Sequence, residues 1–122
     1  MRDIKRVLEL WGAWAASDSY NVDFPTIAAG FKGLLPQTSK NRIMCSDNDG
    51  LIIEGCMARL IKKRPYDYHL LVGYYVYMIS KRKMAKHLKK SEKQIRVEMM
   101  LAEGFIEGCL SMLELRLDSD DL

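Results

Sequence analysis

The feature that most constrains the fold is an apolar stripe of helical period in the last third of the 122-residue chain. From Ile95 to Leu117 an apolar or small side chain returns every three or four residues, and no proline interrupts the run. A repeat of 3.6 residues places these side chains on one face of an α-helix. The stripe therefore predicts a helix of about 25 residues that opens at Ser91 and packs on other helices.

A G-x-x-x-G pair, Gly104 and Gly108, lies inside this helix. Small residues at this spacing let two helices approach closely, and the neighbouring charges of Glu103 and Glu107 argue against a membrane interface. The pair predicts that another helix packs tightly at this point.

Three further helices are predicted in the first half, over about 2–16, over about 23–36, and from Ser46 to an end near 62–65, the last with Ile61 on its apolar face. Trp11 and Trp14 fall on the buried stripe of the first one. Ser46 and Asp49 form a weak capping box for the third. The segment that follows, including Tyr74 to Tyr77, repeats at helical spacing, although its composition makes a strand the alternative.

These patterns predict an all-α fold: a single compact domain over 1–122, with a long C-terminal helix. Three scattered cysteines fit reduced, packed thiols better than disulfides or a zinc site. No segment is long enough to span a membrane and no secretory signal opens the chain, so we expect a cytoplasmic protein. Catalytic motifs are absent, and neither His69 nor His87 adjoins a nucleophile. We expect no enzyme activity, no metal and no cofactor.

Charge is distributed unevenly along the chain. Residues 1–60 carry no net charge, residues 61–96 carry +9, and residues 97–122 carry −6. A basic block within a folded domain is typical of a surface that binds nucleic acid, whereas the acidic end would be repelled from phosphate.

The densest part of the basic block, Lys81 to Arg96, has the pattern of a helix-turn-helix, within a wider region at 66–106. Ala85 is the small residue where two helices cross, and Ser91 caps the second one. Lys89 stands at the turn position that usually holds glycine, so we expect a strained or altered turn that is longer than usual.

The second helix of this pattern would enter a major groove of duplex DNA. Three side chains with suitable donors would read bases there: Lys93, Gln94 and Arg96. Ser91 lies beside them, and six cations would bind phosphates: Lys81, Arg82, Lys83, Lys86, Lys89 and Lys90. The alternative is that the same lysines form an ordinary solvated helix face.

Ser91 to Ala102 is similar to the promoter-reading helix-turn-helix in region four of bacterial sigma factors. A wider set of residues resembles the antitermination protein Q family of lambdoid phages across nearly the whole chain. The matching segments are Val7-Leu8, Trp11 to Trp14, Ile27 to Leu34, Asp47 to Leu60, Tyr74 to Val76 with Ser80, Ala102 to Gly104, and Glu107-Gly108.

The resemblance implies a late-gene regulator that binds DNA at the phage late promoter and engages paused host RNA polymerase with its sigma factor. Such a protein travels with the polymerase, narrows the RNA exit channel and makes the enzyme read through terminators. A second protomer on the same DNA is left open. Two alternatives also stay open: a simple promoter-binding activator or repressor, and a helical module that binds an acidic partner protein.

Overall fold

The computed structural model describes residues 2–17, 42–113 and 117–121. Every regular element among these residues is helical, which confirms the all-α prediction. The elements are α1 (Ile4–Ala16), α2 (Asp47–Lys63), α3 (Pro65–Leu71), a π-helical segment (Val72–Val76), α4 (Lys81–Leu88), α5 (Glu92–Leu113) and a 3-10 helix (Asp118–Asp121). The helix predicted over 23–36 lies outside the described residues.

Helix α1 is capped at its start by Asp3, whose carboxylate accepts hydrogen bonds from the backbone N–H groups of Lys5 and Arg6. Both tryptophans of α1 are buried, as predicted, with exposures of 0% and 1%. The indole N–H of Trp11 donates to Glu54 at 3.0 Å, and that of Trp14 donates to Asp47 at 2.8 Å. These bonds satisfy the polar atom of each ring and join α1 to α2.

Two glycines allow α1 to approach its neighbours closely. A Cβ on Gly12 would overlap the backbone carbonyl of Tyr75 in the π-helical segment. A Cβ on Gly50, in the first turn of α2, would overlap the indole ring of Trp14. The two contacts fix the distance between α1 and the elements on either side of it.

The tyrosine-rich run is helical, as preferred over the strand alternative, but its turns are wider than those of an α-helix. Tyr77 N–H donates to the carbonyl of Val72, five residues earlier, at 3.1 Å. The widening leaves carbonyls near the end of the segment without helical partners. The Arg42 guanidinium is the hydrogen-bond partner of two of these carbonyls. It donates to the carbonyl of Tyr75 at 2.7 Å and to that of Val76 at 3.4 Å.

Helix α5 supplies one wall of the core. Its stripe of Ile95, Met99, Ala102, Ile106 and Leu110 is buried against the other helices, as predicted. The helix is described as far as Leu113, and Leu117, which the apolar repeat included, lies outside it. Leu117 is nevertheless buried in the same core as the stripe of α5.

Two smaller predictions about packing are wrong. Gly104 and Gly108 are exposed, and no described residue would lie within 4 Å of a Cβ at either position, so the G-x-x-x-G pair joins no described helix. Ile61 of α2 is 42% exposed, because it points away from the core stripe of its helix. The close helix approaches occur at Gly12 and Gly50 instead.

The end of the chain is fastened to its beginning and to α2. Ser46 caps α2, as predicted, by accepting from the N–H of Asp49 at 3.2 Å. The buried carboxylate of Asp49 does not complete a capping box, because it accepts instead from the N–H groups of Asp118 and Ser119 at 2.7 and 3.1 Å. Arg2 donates two hydrogen bonds to Asp120, at 2.7 and 3.0 Å.

Candidate nucleic-acid interface

Helices α4 and α5 form the predicted helix-turn-helix. The hydroxyl of Ser80 accepts from Lys83 N–H at the start of α4, and that of Ser91 accepts from Gln94 N–H at the start of α5, both at 3.1 Å. Ala85 is buried where the two helices pack, as predicted. The local capping rules and the small crossing residue thus place both helices where the sequence pattern indicated.

The turn between the helices is left-handed at Lys89, with φ 58° and ψ 45°. The N–H of Lys90 donates to the carbonyl of Ala85 at 2.9 Å, and the N–H of Lys89 donates to the carbonyl of Lys86 at 3.4 Å. These two bonds make the Schellman motif, whose left-handed position usually holds glycine. The strained turn is present, but the expectation of a longer turn is wrong, because Lys89 adopts the left-handed conformation and closes the turn at its usual length.

The predicted phosphate-binding cations lie at the surface of the helix-turn-helix. Four of them are exposed, Arg82, Lys83, Lys86 and Lys89, as is the predicted reader Lys93 on α5. Lys81 and Lys90 are half-buried, and the ammonium of each lies over a tyrosine ring: Lys81 at 5.1 Å from the centroid of Tyr74, and Lys90 at 4.4 Å from that of Tyr66. The exposed cations leave their charge available to an anionic partner.

The predicted base readers lie in the first two turns of α5, and all three are exposed. Arg96 donates to Glu92, one turn earlier, at 2.8 Å, while its side chain stays 57% exposed. Val97, on the same outer side as Lys93, is 49% exposed and adds an apolar contact surface. Donors and an apolar group at a helix start are the types that recognise base edges.

The carboxylate of Glu98, on α5, binds side chains from three places: the turn between α4 and α5, the first turn of α5, and α3. It accepts from the ammonium of Lys90 at 3.0 and 3.3 Å, and from the amide of Gln94 at 3.1 Å. It also accepts from the hydroxyl of Tyr66 at 2.6 Å. One predicted phosphate contact and one predicted reader are therefore held by a single acidic side chain.

This network shifts the pKa values of Glu98 and Lys90. Burial on its own would raise the pKa of Glu98, but the hydrogen bonds from Tyr66, Lys90 and Gln94 outweigh it, and the pKa is lowered. The pKa of Lys90 is raised by its hydrogen bonds to Tyr66 and Glu98. Both shifts favour the charged forms, so the ion pair persists at neutral pH.

Sequence reasoning missed Tyr66 and Glu98 as parts of this surface. Glu98 was detectable in principle, because it lies four residues after Gln94 on the same helix face. Tyr66 was not, because its contact with Glu98 joins positions 32 residues apart.

Other site classes find little support among the described residues. Within those ranges, no three His, Cys, Asp or Glu side chains gather as a metal site would require. The three cysteines carry free thiols. None of the described helices is long and apolar enough to cross a membrane.

Known proteins resemble this chain over nearly its whole length. Residues 1–118 match the family of phage antitermination protein Q. A probable antitermination protein Q of Acyrthosiphon pisum secondary endosymbiont phage 1 is 48% identical over 120 residues, which cover 98% of this chain and 81% of that protein. The prophage antitermination protein Q homolog QuuD of Escherichia coli K12 is 49% identical over 121 residues, covering 98% and 94% of the two chains.

Solved structures agree on the fold. Transcription antitermination factor Q21 superimposes with a TM-score of 0.69 at 21% identity, covering 89% of this chain and 87% of that one. The same factor in complex with Q21-binding-element DNA gives a TM-score of 0.68 at 18% identity, covering 91% of each chain. From the family match and the close relatives it follows that the chain belongs to the phage antitermination protein Q family.

Proposed function

We propose that this chain is a transcription antitermination factor that binds duplex DNA at a phage late promoter through α4 and α5. It then engages paused host RNA polymerase with its sigma factor and makes the enzyme read through terminators. The work takes place in the cytoplasm of the bacterial host, by binding alone, with no bond made or broken. Residues 1–122 act as one domain, with the helix-turn-helix region at 66–106.

The observation that carries the proposal is the geometry of the helix-turn-helix. Its two helices are capped, joined by a tight turn and packed through buried residues, while the cations of the segment stay at the surface. Residues 81–96 hold eight cations and one carboxylate, more charge than solubility requires. Membership of the Q family, and the DNA complex of the structurally similar Q21, support DNA binding by this chain.

Two kinds of contact divide the work on this surface. Lys93, Gln94 and Arg96 read base edges in the major groove. The surrounding cations, with Ser91, hold phosphates and supply affinity that depends on salt: Lys81, Arg82, Lys83, Lys86, Lys89 and Lys90.

Substitutions separate the two kinds of contact. Arg96→Ala should cost about 1–3 kcal/mol on a duplex selected by the protein from a randomised pool, and it should relax the preference at one base pair. Lys89→Ala should weaken binding to selected and scrambled duplexes by the same factor. Equal losses on both duplexes for both variants would remove the reader role of Arg96.

The polymerase step is tested by transcription in vitro. Purified protein is added to host polymerase holoenzyme on a template that carries the late promoter and a downstream terminator. We expect more transcripts that extend past the terminator, and an Arg96→Ala variant should lose this effect. A change in initiation without read-through would select the alternative of a simple promoter-binding regulator.

A further inference from the structure

The carboxylate of Glu98 contacts two side chains that the proposed function assigns to DNA, although phosphate repels carboxylates. It accepts from Lys90, Gln94 and Tyr66 at once. Lys90 is a proposed phosphate contact, and Gln94 is a proposed base reader. A negative charge is thus placed between two side chains whose task is to meet a polyanion.

This network differs from an ordinary surface ion pair, which contributes little. The side chains of Lys90 and Glu98 are only 30% and 19% exposed. The Lys90 ammonium is also held from a second direction, since it lies 4.4 Å from the ring centroid of Tyr66 and donates to the hydroxyl oxygen of that ring at 2.8 Å. Tyr66 belongs to α3, so the side chains are fixed by two separate elements.

The network pairs Lys90 with a carboxylate and orients the amide of Gln94. We expect the first effect to weaken non-specific DNA binding and the second to strengthen specific binding. Non-specific binding depends on the number of phosphates that cations neutralise, so a cation paired with a carboxylate contributes little to it. Specific binding depends on donors held at a fixed orientation toward base edges. A glutamine amide anchored by a neighbouring carboxylate is already oriented when it reaches the groove.

We propose that Glu98 is a positioning residue that sets DNA specificity: it withholds Lys90 from the phosphates of random duplexes, so that Lys90 serves as a phosphate contact on the target only, and it orients the amide of Gln94. The inference rests on the proposed function, because it requires that α4 and α5 meet duplex DNA. It assigns to an acidic side chain a share of the discrimination between target and random sequence.

The first test is Glu98→Gln, which keeps the shape of the side chain and removes its charge. Binding is measured by fluorescence anisotropy on a scrambled duplex and on a duplex that the wild-type protein selects from a randomised pool. The scrambled duplex should bind about 5- to 10-fold more tightly near 0.1 M salt, with a log–log salt slope steeper by about one. The selected duplex should gain less, so the ratio of the two affinities falls.

The matched control is Glu107→Gln, which makes the same charge change on the same helix. Glu107 lies nine residues further along α5, roughly 13 Å away at 1.5 Å per residue. That distance exceeds the screening length of about 8–10 Å at these salt concentrations. We expect the affinity ratio of this variant to equal that of the wild type, and a matching effect of Glu98→Gln and Glu107→Gln would overturn the proposal.

The double variant Lys90→Gln with Glu98→Gln tests whether the pair acts as a unit. Removing a cation and the carboxylate that neutralises it should return the salt slope on scrambled DNA to the wild-type value. A slope shallower than wild type by one would show that Lys90 already binds random phosphate, and it would overturn the proposal. Circular dichroism checks that each variant is folded. If the wild type selects no sequence from the pool, the proposed function fails instead, whatever Glu98 does.

Discussion

At the scale of single residues, the position of each glycine decides what it contributes. Gly12 and Gly50 lie where the chain crosses itself, and their missing Cβ atoms make room for a carbonyl and an indole ring. Gly55 lies on the exposed side of α2, where a Cβ would meet no described atom within 4 Å. The same residue type is therefore required at two positions and dispensable at the third.

Alanine substitution at these glycines should have effects of opposite sign. Gly12→Ala forces α1 away from the π-helical segment and should lower the free energy of unfolding by about 3 kcal/mol or more. Gly55→Ala is the control in a helix interior, and it should raise stability by roughly 0.5–1 kcal/mol. Urea unfolding followed by circular dichroism measures both. A tolerated Gly12→Ala would contradict the close contact with Tyr75.

Two of the cysteine thiols are held in their neutral form. Burial is the main cause that raises the pKa of Cys45 and of Cys56 to about 11 in each case. A raised thiol pKa lowers the thiolate fraction at a given pH, and only the thiolate attacks a disulfide reagent. These residues are packed thiols, in agreement with the prediction from their number and spacing.

Labelling kinetics can test this state. At pH 8, Cys45 and Cys56 should react with an aromatic disulfide reagent roughly 10- to 100-fold more slowly in the folded protein than in urea. The rates should rise as the pH approaches 11. Cys45→Ser and Cys56→Ser variants assign each kinetic phase, and equal rates in folded and unfolded protein would refute the assignment.

At the scale of elements, the turn between α4 and α5 combines a structural cost with a proposed role. An L-residue in the left-handed region is less stable than glycine there by about 1 kcal/mol. Lys89 nevertheless occupies this position, where its ammonium is exposed beside α5. We interpret the strain as the cost of keeping a cation at the turn.

Lys89→Gly should therefore stabilise the protein and weaken its binding to DNA. The expected gain in unfolding free energy is roughly 1 kcal/mol, and affinity should fall equally on selected and scrambled duplexes. Lys86→Gly is the control, because it removes the same charge from a right-handed helical position and should destabilise by about 1 kcal/mol. Thermal unfolding and anisotropy titrations report the two effects separately. A stabilised variant with unchanged affinity would exclude Lys89 as a phosphate contact.

The elements that the sequence predicted correctly are those governed by local rules. Ser46, Ser80 and Ser91 each cap a helix, because a hydroxyl at that position satisfies an N–H within three residues. The burial of the stripe on α5 follows from helical period alone. Most of the helix-turn-helix could therefore be placed from its amino-acid pattern.

The features that sequence reasoning missed depend on contacts between distant positions. The widened turns after Leu71 are supported by Arg42, about 30 residues earlier in the chain. Gly104 and Gly108 match a packing motif, but whether a helix lies against them depends on the whole arrangement. The contact of Tyr66 with Glu98 is of the same kind.

At the scale of the whole molecule, the two ends of the described chain meet on one side of the core. Leu117 is 1% exposed, and Asp49 binds the backbone that follows it. Arg2 pairs with Asp120 nearby, with both side chains about one-fifth exposed. The segment after α5 thus contributes to the same core as α1 and α2.

Leu117→Ala should destabilise the whole fold and not only its end. Removal of a buried leucine side chain costs about 2–5 kcal/mol. Met112→Ala is the control, since Met112 is 84% exposed and its truncation should change stability by about 0.5 kcal/mol or less. Urea titrations followed by circular dichroism and by tryptophan emission should shift together for Leu117→Ala. Separate transitions would indicate that the end of the chain unfolds on its own.

The burial of both indole rings also has a spectroscopic consequence. The protein has two tryptophans, both on α1, and each ring is closed off from water while its N–H is bound to a carboxylate of α2. Because α4 and the start of α5 contain no tryptophan, the emission of the two indole rings does not report directly on contact between these helices and a DNA groove. A shift of the tryptophan emission maximum when duplex DNA is added would show that binding changes the surroundings of α1. An unchanged emission maximum would indicate that the protein binds DNA as a rigid body.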